Sequence, residues 1–260
     1  MVAESDSSAG REAAISVLNG VLGDYLVLTN NPLAISMGFR REGKSLSDEA
    51  LLEIIGQSNG KLMLMIHGSC MNDLQWNREK HHYGAALADD LDVTPLYLHY
   101  NSGLHISENG RKLADLLERL LAQVSQPIEL SILSHSMGGL VARSACYYGE
   151  SSGHNWLKYL KKMVFLGTPH HGALLERGGN WIDTLLGISP YSTPLARLGK
   201  IRSSGVTDLR YGNIVDEDWN GQDRFAKSGD PRTAVPLPEG VLCYALAEPL
   251  AKRQASWVMK

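Results

Sequence analysis

Residues 128–139 read IELSILSHSMGG, and the fold is decided there. An apolar run ends at Ser134. His135, Ser136, Met137, Gly138 and Gly139 follow, and 140–148 reads as a helix. This is a strand, a sharp turn and a helix, with Ser136 on the turn, the arrangement that lifts a serine hydroxyl above a sheet edge. Strand and helix backbones approach closely at such a turn, so the residues two before and two after the serine must be small. Ser134 and Gly138 meet that requirement, with Ser134 where glycine is usual.

Working outward, short apolar runs recur at 61–66 (KLMLMI), 93–98 (VTPLYL), 162–167 (KMVFLG) and 241–247 (VLCYALA). Between the second run and the serine strand, Leu113, Leu116, Leu117, Leu120, Leu121 and Val124 fall on one face of a helix over 106–124, with Ser107 able to cap it and Pro127 closing the connection. Strands alternating with crossover helices predict an α/β fold with a mostly parallel, doubly wound sheet. Upstream, the spacing predicts a helix over 12–27, a short strand at 33–37 and a helix over 47–55 capped by Ser47. Residues 172–240 break the rhythm, with ten Gly and five Pro in 69 residues and helical pieces only near 180–186 and 195–200. So long a connection reads as an inserted cap over one end of the sheet. The organisation expected is an N-terminal helix and hairpin (1–58), a core (59–171), the cap (172–240) and a last core strand with a short tail (241–260).

The chain has 260 residues, 43% hydrophobic and 20% charged, as in a folded globule with one sizeable core. A net charge of −3 gives no basic surface for nucleic acid. The apolar runs are too short to span a bilayer, and the polar N-terminus lacks the apolar stretch of an export signal, so the expected location is the cytoplasm. Three widely spaced cysteines, Cys70, Cys146 and Cys243, read as reduced thiols rather than a disulfide frame or zinc site. Oligomeric state is not legible.

Two further segments end strands near the serine. The first long strand runs into His67-Gly68-Ser69-Cys70, where an oxyanion-binding N–H from Ser69 or Cys70 could join that of Met137. Phe165 to Gly172 reads FLGTPHHG, with His170 and His171 at the edge where ligands bind in open α/β sheets. Together, HG, then HSMGG, then LGTPHHG resemble the α/β-hydrolase superfamily, within it the lipase/esterase group that includes bacterial GPI inositol-deacylase-like hydrolases. The resemblance covers about residues 60–247. It implies ester hydrolysis through an acyl-serine intermediate on Ser136, no metal or organic cofactor, and an ester or lipid-like small-molecule substrate. The pocket would be lined by His67, Gly68 and His135, the last pointing away from the substrate side.

A serine needs a base, and in this fold an acid and then a histidine follow the nucleophile in sequence. No histidine follows His171, and only Glu248 follows the last apolar run as an acid. Three expectations stand side by side: a hydrolase crippled by a missing base; His170 or His171 serving as base, oriented by Glu248 or Asp73; or a non-catalytic relative whose cap holds an apolar ligand. Apolar cap residues such as Trp181, Ile182 and Leu185 could receive an acyl chain or simply pack the cap.

One rival motif remains. Residues from Gly38 to Ser45, GFRREGKS, match the phosphate-loop pattern G-x-x-x-x-G-K-[ST] letter for letter, which would make the chain a nucleotide-binding module. A phosphate cradle favours small residues, whereas this loop holds Phe39, Arg40, Arg41 and Glu42. A hairpin turn is the competing reading. His81-His82-Tyr83 reads as the start of a helix, its histidines pointing apart, and Asp216-Glu217-Asp218 as a solvated acidic turn.

Overall fold

The computed structural model describes residues 2–78, 81–172, 203–221 and 232–246, with side chains from Ala9 on. Helix α1 (Val2–Leu28) leads into a hairpin of β1 (Gly38–Arg41) and β2 (Lys44–Ser45), then α2 (Asp48–Gln57) and β3 (Lys61–Ile66). Next come the two-residue strands β4 (Asn77–Arg78) and β5 (His81–His82), α3 (Tyr83–Leu91), β6 (Thr94–His99), α4 (Ile106–Leu121), β7 (Glu129–His135), α5 (Met137–Ser151) and β8 (Leu160–Leu166). Helix α6 (Ser204–Tyr211) and β9 (Leu242–Leu246) complete the described α-helices and strands.

Seven strands form one sheet in the order β2-β1-β6-β3-β7-β8-β9. The hairpin joins β6 antiparallel, and β6, β3, β7, β8 and β9 run parallel. Chain order leaves β3 for β6 on one side, then jumps back over β3 to β7. Right-handed crossovers therefore put α3 on one face and α4 and α5 on the other. This mostly parallel, doubly wound sheet is an α/β-hydrolase fold.

The residues of β3 show why the sheet is central. Leu62, Leu64 and Ile66 enter the main core, while Met63 and Met65 enter a smaller cluster with Tyr97 on the opposite face. Both faces are buried, as a near-continuous apolar run requires. Leu64 lies between Leu96 of β6 and Ile132 of β7 in register.

Several local expectations are corrected. The strand placed at 33–37 lies at 38–41, with Phe39 in the core and Arg40 paired to Glu12 (2.8 Å) and Asp73 (3.3 Å). The 12–27 helix runs from Val2 to Leu28. Helix α4 starts at Ile106 with His105 as its cap residue; Ser107 instead accepts a hydrogen bond from Trp219 Nε1 (3.1 Å). His81 and His82 form a strand rather than a helical turn, and His82 Nδ1 caps α3 by accepting from Ala85 N (3.2 Å). The acidic turn is solvated only in part: Glu217 is exposed, whereas Asp216 pairs with Arg111 and buried Asp218 accepts from the N–H groups of Ile214, Val215 and Thr233. The helical pieces sought near 180–186 and 195–200, with Trp181, Ile182 and Leu185, lie outside the described residues.

The phosphate-loop reading meets a different geometry. Residues 38–45 are a hairpin turning on Glu42 and Gly43, both at positive φ (51° and 77°), with Arg41 paired to Lys44. Two successive positive φ values make a type I′ turn, whose twist suits paired strands and places glycine second. No loop opens there onto a helix N-terminus, and Arg40 is committed to Glu12 and Asp73.

Candidate active site

Ser136 stands between β7 and α5 with φ 51° and ψ −122°, a conformation L-residues rarely adopt. The surroundings over-determine it. Ser136 N donates to Leu166 O of β8 (2.8 Å), and Ser134, fully buried, donates through Oγ to Val164 O (3.1 Å). A Cβ at Gly138 would lie 2.6 Å from the carbonyl oxygens of both Ile66 and His67, so only glycine fits where α5 meets β3. Backbone strain of this kind, about 1–3 kcal/mol, persists where structure holds it and concentrates at functional sites.

The loop after β3 passes directly beside the serine. A Cβ at Gly68 would be 3.2 Å from Ser136 Cβ and 3.0 Å from His135 Nδ1. Its donors divide clearly. Cys70, at φ 60°, gives its N–H to Ser102 Oγ (3.0 Å), which withdraws it as an oxyanion donor. Ser69 N–H has no partner among the described residues. Met137 opens α5, so its N–H has no partner within the helix. The structure thus brings Ser136, Met137, Gly68 and Ser69 together.

Buried groups fix this loop from below. His67 donates through Nδ1 to Gly68 O (2.8 Å) and stacks on Tyr100 at 4.4 Å, while Tyr100 OH donates to His67 O (2.9 Å). Burial pushes the His67 pKa down to about 3, helped by neighbouring His99, His135 and Arg40. It is therefore a neutral ring, consistent with Nδ1–H as donor. His135 is also held below its ordinary pKa by burial, and its Nδ1 has no partner among the described residues. Helix α1 crosses above: Asn72 Nδ2 donates to Ser16 Oγ (3.1 Å), Asn101 Nδ2 donates to Gly23 O (3.0 Å), and Val17 and Val21 pack on Cys70.

The histidines after β8 are placed elsewhere. Thr168 packs on Gly139, one turn into α5, where a Cβ would fall 2.1 Å from its Oγ1. The loop continues along α5, so that His170 Nδ1 faces Arg143 Nη1 at 3.3 Å, seven residues beyond Ser136. Seven residues of helix are about 10 Å. Burial, then the Arg143 cation, lower the His170 pKa. Arg143 Nη2 also donates to Val235 O (2.6 Å), tying this corner to the segment that leads into β9. His171 is exposed. Among the described residues no histidine hydrogen-bonds Ser136 Oγ. Asp73 is buried beside the hairpin, bound to Gly43 N (2.8 Å) and Arg40, and makes no hydrogen bond to a described histidine. Glu248 lies outside the described residues. No cluster of three metal-ligating side chains occurs among the described residues.

Sequence reading did not single out Tyr100 and Ser102, which hold the loop after β3 through His67 O and Cys70 N, or the pair of His105 and Asp208. Asp208 is fully buried and accepts from Ile106 N (2.9 Å), Asn213 Nδ2 (3.1 Å) and His105 Nδ1 (2.8 Å), with Trp219 stacked on His105 at 3.7 Å. This clamps 203–221 to α4. A polar Tyr-Asn-Ser following β6 was the only signal, and nothing in it names a partner a hundred residues away.

Solved structures to which the chain is similar include two lipases and a thioesterase. A lipase of Bacillus licheniformis is 24% identical, covering 58% of this chain and 54% of its own, with a TM-score of 0.41. Aspergillus fumigatus lipase B is 19% identical over 55% of this chain and 33% of its own, at 0.38. The type II thioesterase of the borrelidin biosynthetic cluster is 19% identical over 73% and 84%, at 0.38. The chain thus spans about half of the first lipase's length and a third of the second's. No curated protein sequence matches. The profile of one family, DUF7379, described as a domain of unknown function, matches residues 38–206, which hold β1 to β8, Ser136 and the loop beside it. The chain belongs to that family.

Proposed function

We propose that this protein is a serine-dependent carboxylic-ester hydrolase of lipase/esterase type, the group whose bacterial GPI inositol-deacylase-like members its HG, HSMGG and GTPHHG motifs resemble. The observation that carries this reading is Ser136 at φ 51° on a turn so tight that Gly138 touches the carbonyls of Ile66 and His67. Ser136 Oγ attacks the ester carbonyl, its hydroxyl proton passes to the ester's alkoxy oxygen, and the carbon–oxygen bond to that oxygen breaks as the alcohol leaves. The negative charge that develops on the carbonyl oxygen faces Met137 N–H, at the positive end of α5, and Ser69 N–H. Water then releases the acid from the acyl-serine. The substrate is a small-molecule or lipid-like ester, and the chemistry needs no metal or organic cofactor.

A second reading, a non-catalytic or crippled hydrolase-fold protein, is favoured by one observation: His170 faces Arg143, and no described histidine reaches Ser136 Oγ. Loss of the base leaves about 10³–10⁴ over water from oxyanion and binding terms. Turnover of short-chain nitrophenyl esters separates the two. The hydrolase reading expects a kcat that Ser136→Ala lowers at least 10³-fold. Equal turnover by the wild type and Ser136→Ala would exclude it.

A further inference from the structure

A cavity of about 550 Å³ lies away from Ser136, between the chain following α1 and the outward face of α4. Asn109, Lys112, Leu116 and Arg119 form its α4 wall, at steps of three and four along one stripe. Gly110, which packs on Ser144 of α5, points the opposite way. Val27, Ala34, Ile35, Met37 and Leu104 add apolar surface to a lining that is otherwise polar.

The walls are held in place. Buried Asn19 donates through Nδ2 to Leu33 O (2.8 Å) and accepts from Ile35 N (2.9 Å), so a stretch without regular structure keeps a fixed course. Asn109 Nδ2 donates to Asn101 O (2.9 Å) on the other side. The rim is cationic. Lys112 and Arg119 have no carboxylate partner among the described residues, whereas Asp115 is turned toward His154 (3.6 Å). With Asp115 counted, the rim carries one net positive charge. Its neutral groups, Asn30, Asn31 and Ser36, offer further donors.

We propose that this cavity binds a small amphipathic monoanion, a carboxylate with a short apolar tail, its head on Lys112 and Arg119 and its tail against Ile35, Met37 and Leu116. A recess that sets apolar side chains beside charged and amide groups suits a molecule with one apolar and one polar end, and 550 Å³ is within the usual size of a small-molecule site. One charge on the ligand matches one net charge on the rim.

The test is calorimetric titration of the full chain with octanoate. Saturable binding is expected, at least tenfold weaker for 1-octanol, which lacks the charge. It should weaken at least tenfold in the Lys112→Ala/Arg119→Ala double variant, whose side chains are on the surface, and in Leu116→Trp, which fills the recess. Prior blocking of Ser136 with a fluorophosphonate should leave it unchanged. Absence of binding at millimolar octanoate, equal affinity in the double variant, or loss of binding on blocking Ser136 would overturn the proposal.

Discussion

Replacing Gly138 with alanine places one methyl group where the elbow meets β3. The new Cβ would lie 2.6 Å from the carbonyl oxygens of Ile66 and His67 and 2.9 Å from Ile66 Cγ2. That is about 0.9 Å inside a roughly 3.5 Å optimal separation for two of the three atoms. Neither oxygen belongs to a side chain that can rotate away. Ile66 ends β3, fully buried and paired on both sides to Leu98 and Ser134, and His67 O is held by Tyr100 OH. The start of α5 must therefore lift, which opens the contact between Ser136 and Gly68. Overpacking costs about 1–3 kcal/mol in general, and a double clash with core backbone belongs at or above the top of that range. A loss of about 3 kcal/mol lowers Tm by about 6–12 °C in a chain of this size. The internal control is Gly56→Ala in α2, where an added Cβ meets nothing within 4 Å and helix propensity favours alanine by up to about 1 kcal/mol. Thermal and urea unfolding of the two variants should move in opposite directions. Gly138→Ala within about 0.5 kcal/mol of the wild type would refute the close approach on which the site rests.

Asp208→Ala, which strands three buried donors, should cost about 3–5 kcal/mol in urea unfolding, against under about 1 kcal/mol for Asp216→Ala in its part-exposed pair with Arg111. Buried His67 stays neutral to about pH 3, whereas in the unfolded chain it takes a proton near 6.5, so the unfolded state binds more protons between those values. Stability is therefore retained above pH 6.5 and falls on acidification, by about 2 kcal/mol from this residue at pH 5. The pH-dependence of unfolding should flatten in His67→Gln, and an unchanged slope would contradict its burial. Gly43→Ala, at φ 77° in the hairpin turn, should destabilise by about 1 kcal/mol or more. A millimolar ATP–magnesium mixture should leave Tm unmoved, and a nucleotide shift lost in Lys44→Ala would revive the phosphate-loop reading.

What the sequence disclosed was what acts locally or by period. KLMLMI ends where β3 ends, and SHSMGG bends where small residues let a strand and helix touch. The hairpin could be told from a phosphate loop because Arg40, Arg41 and Glu42 are wrong for a cradle. What stayed hidden depends on distant partners. His170 reads as a base candidate by its place after a strand, yet Thr168 packing on Gly139 carries it along α5 to Arg143. Cys70 reads as an oxyanion donor by position, but Ser102 takes its N–H. Asp216 and Asp218 look solvated in a run of three acids, and only the fold brings Arg111 and the N–H groups of Ile214 and Val215 to them. The strand read at 33–37 lies one step further on, where Phe39 enters the core and Arg40 meets Glu12 and Asp73, partners that the local pattern does not name.

The central claim is that Ser136 is a nucleophile in a working site. Incubation of the folded chain with a fluorophosphonate, read by peptide mass spectrometry beside Ser136→Ala, addresses it directly. The account predicts one phosphonylated residue, Ser136, and no labelling of the alanine variant. A folded wild type that takes no label at Ser136 would contradict it and leave the elbow as architecture without chemistry.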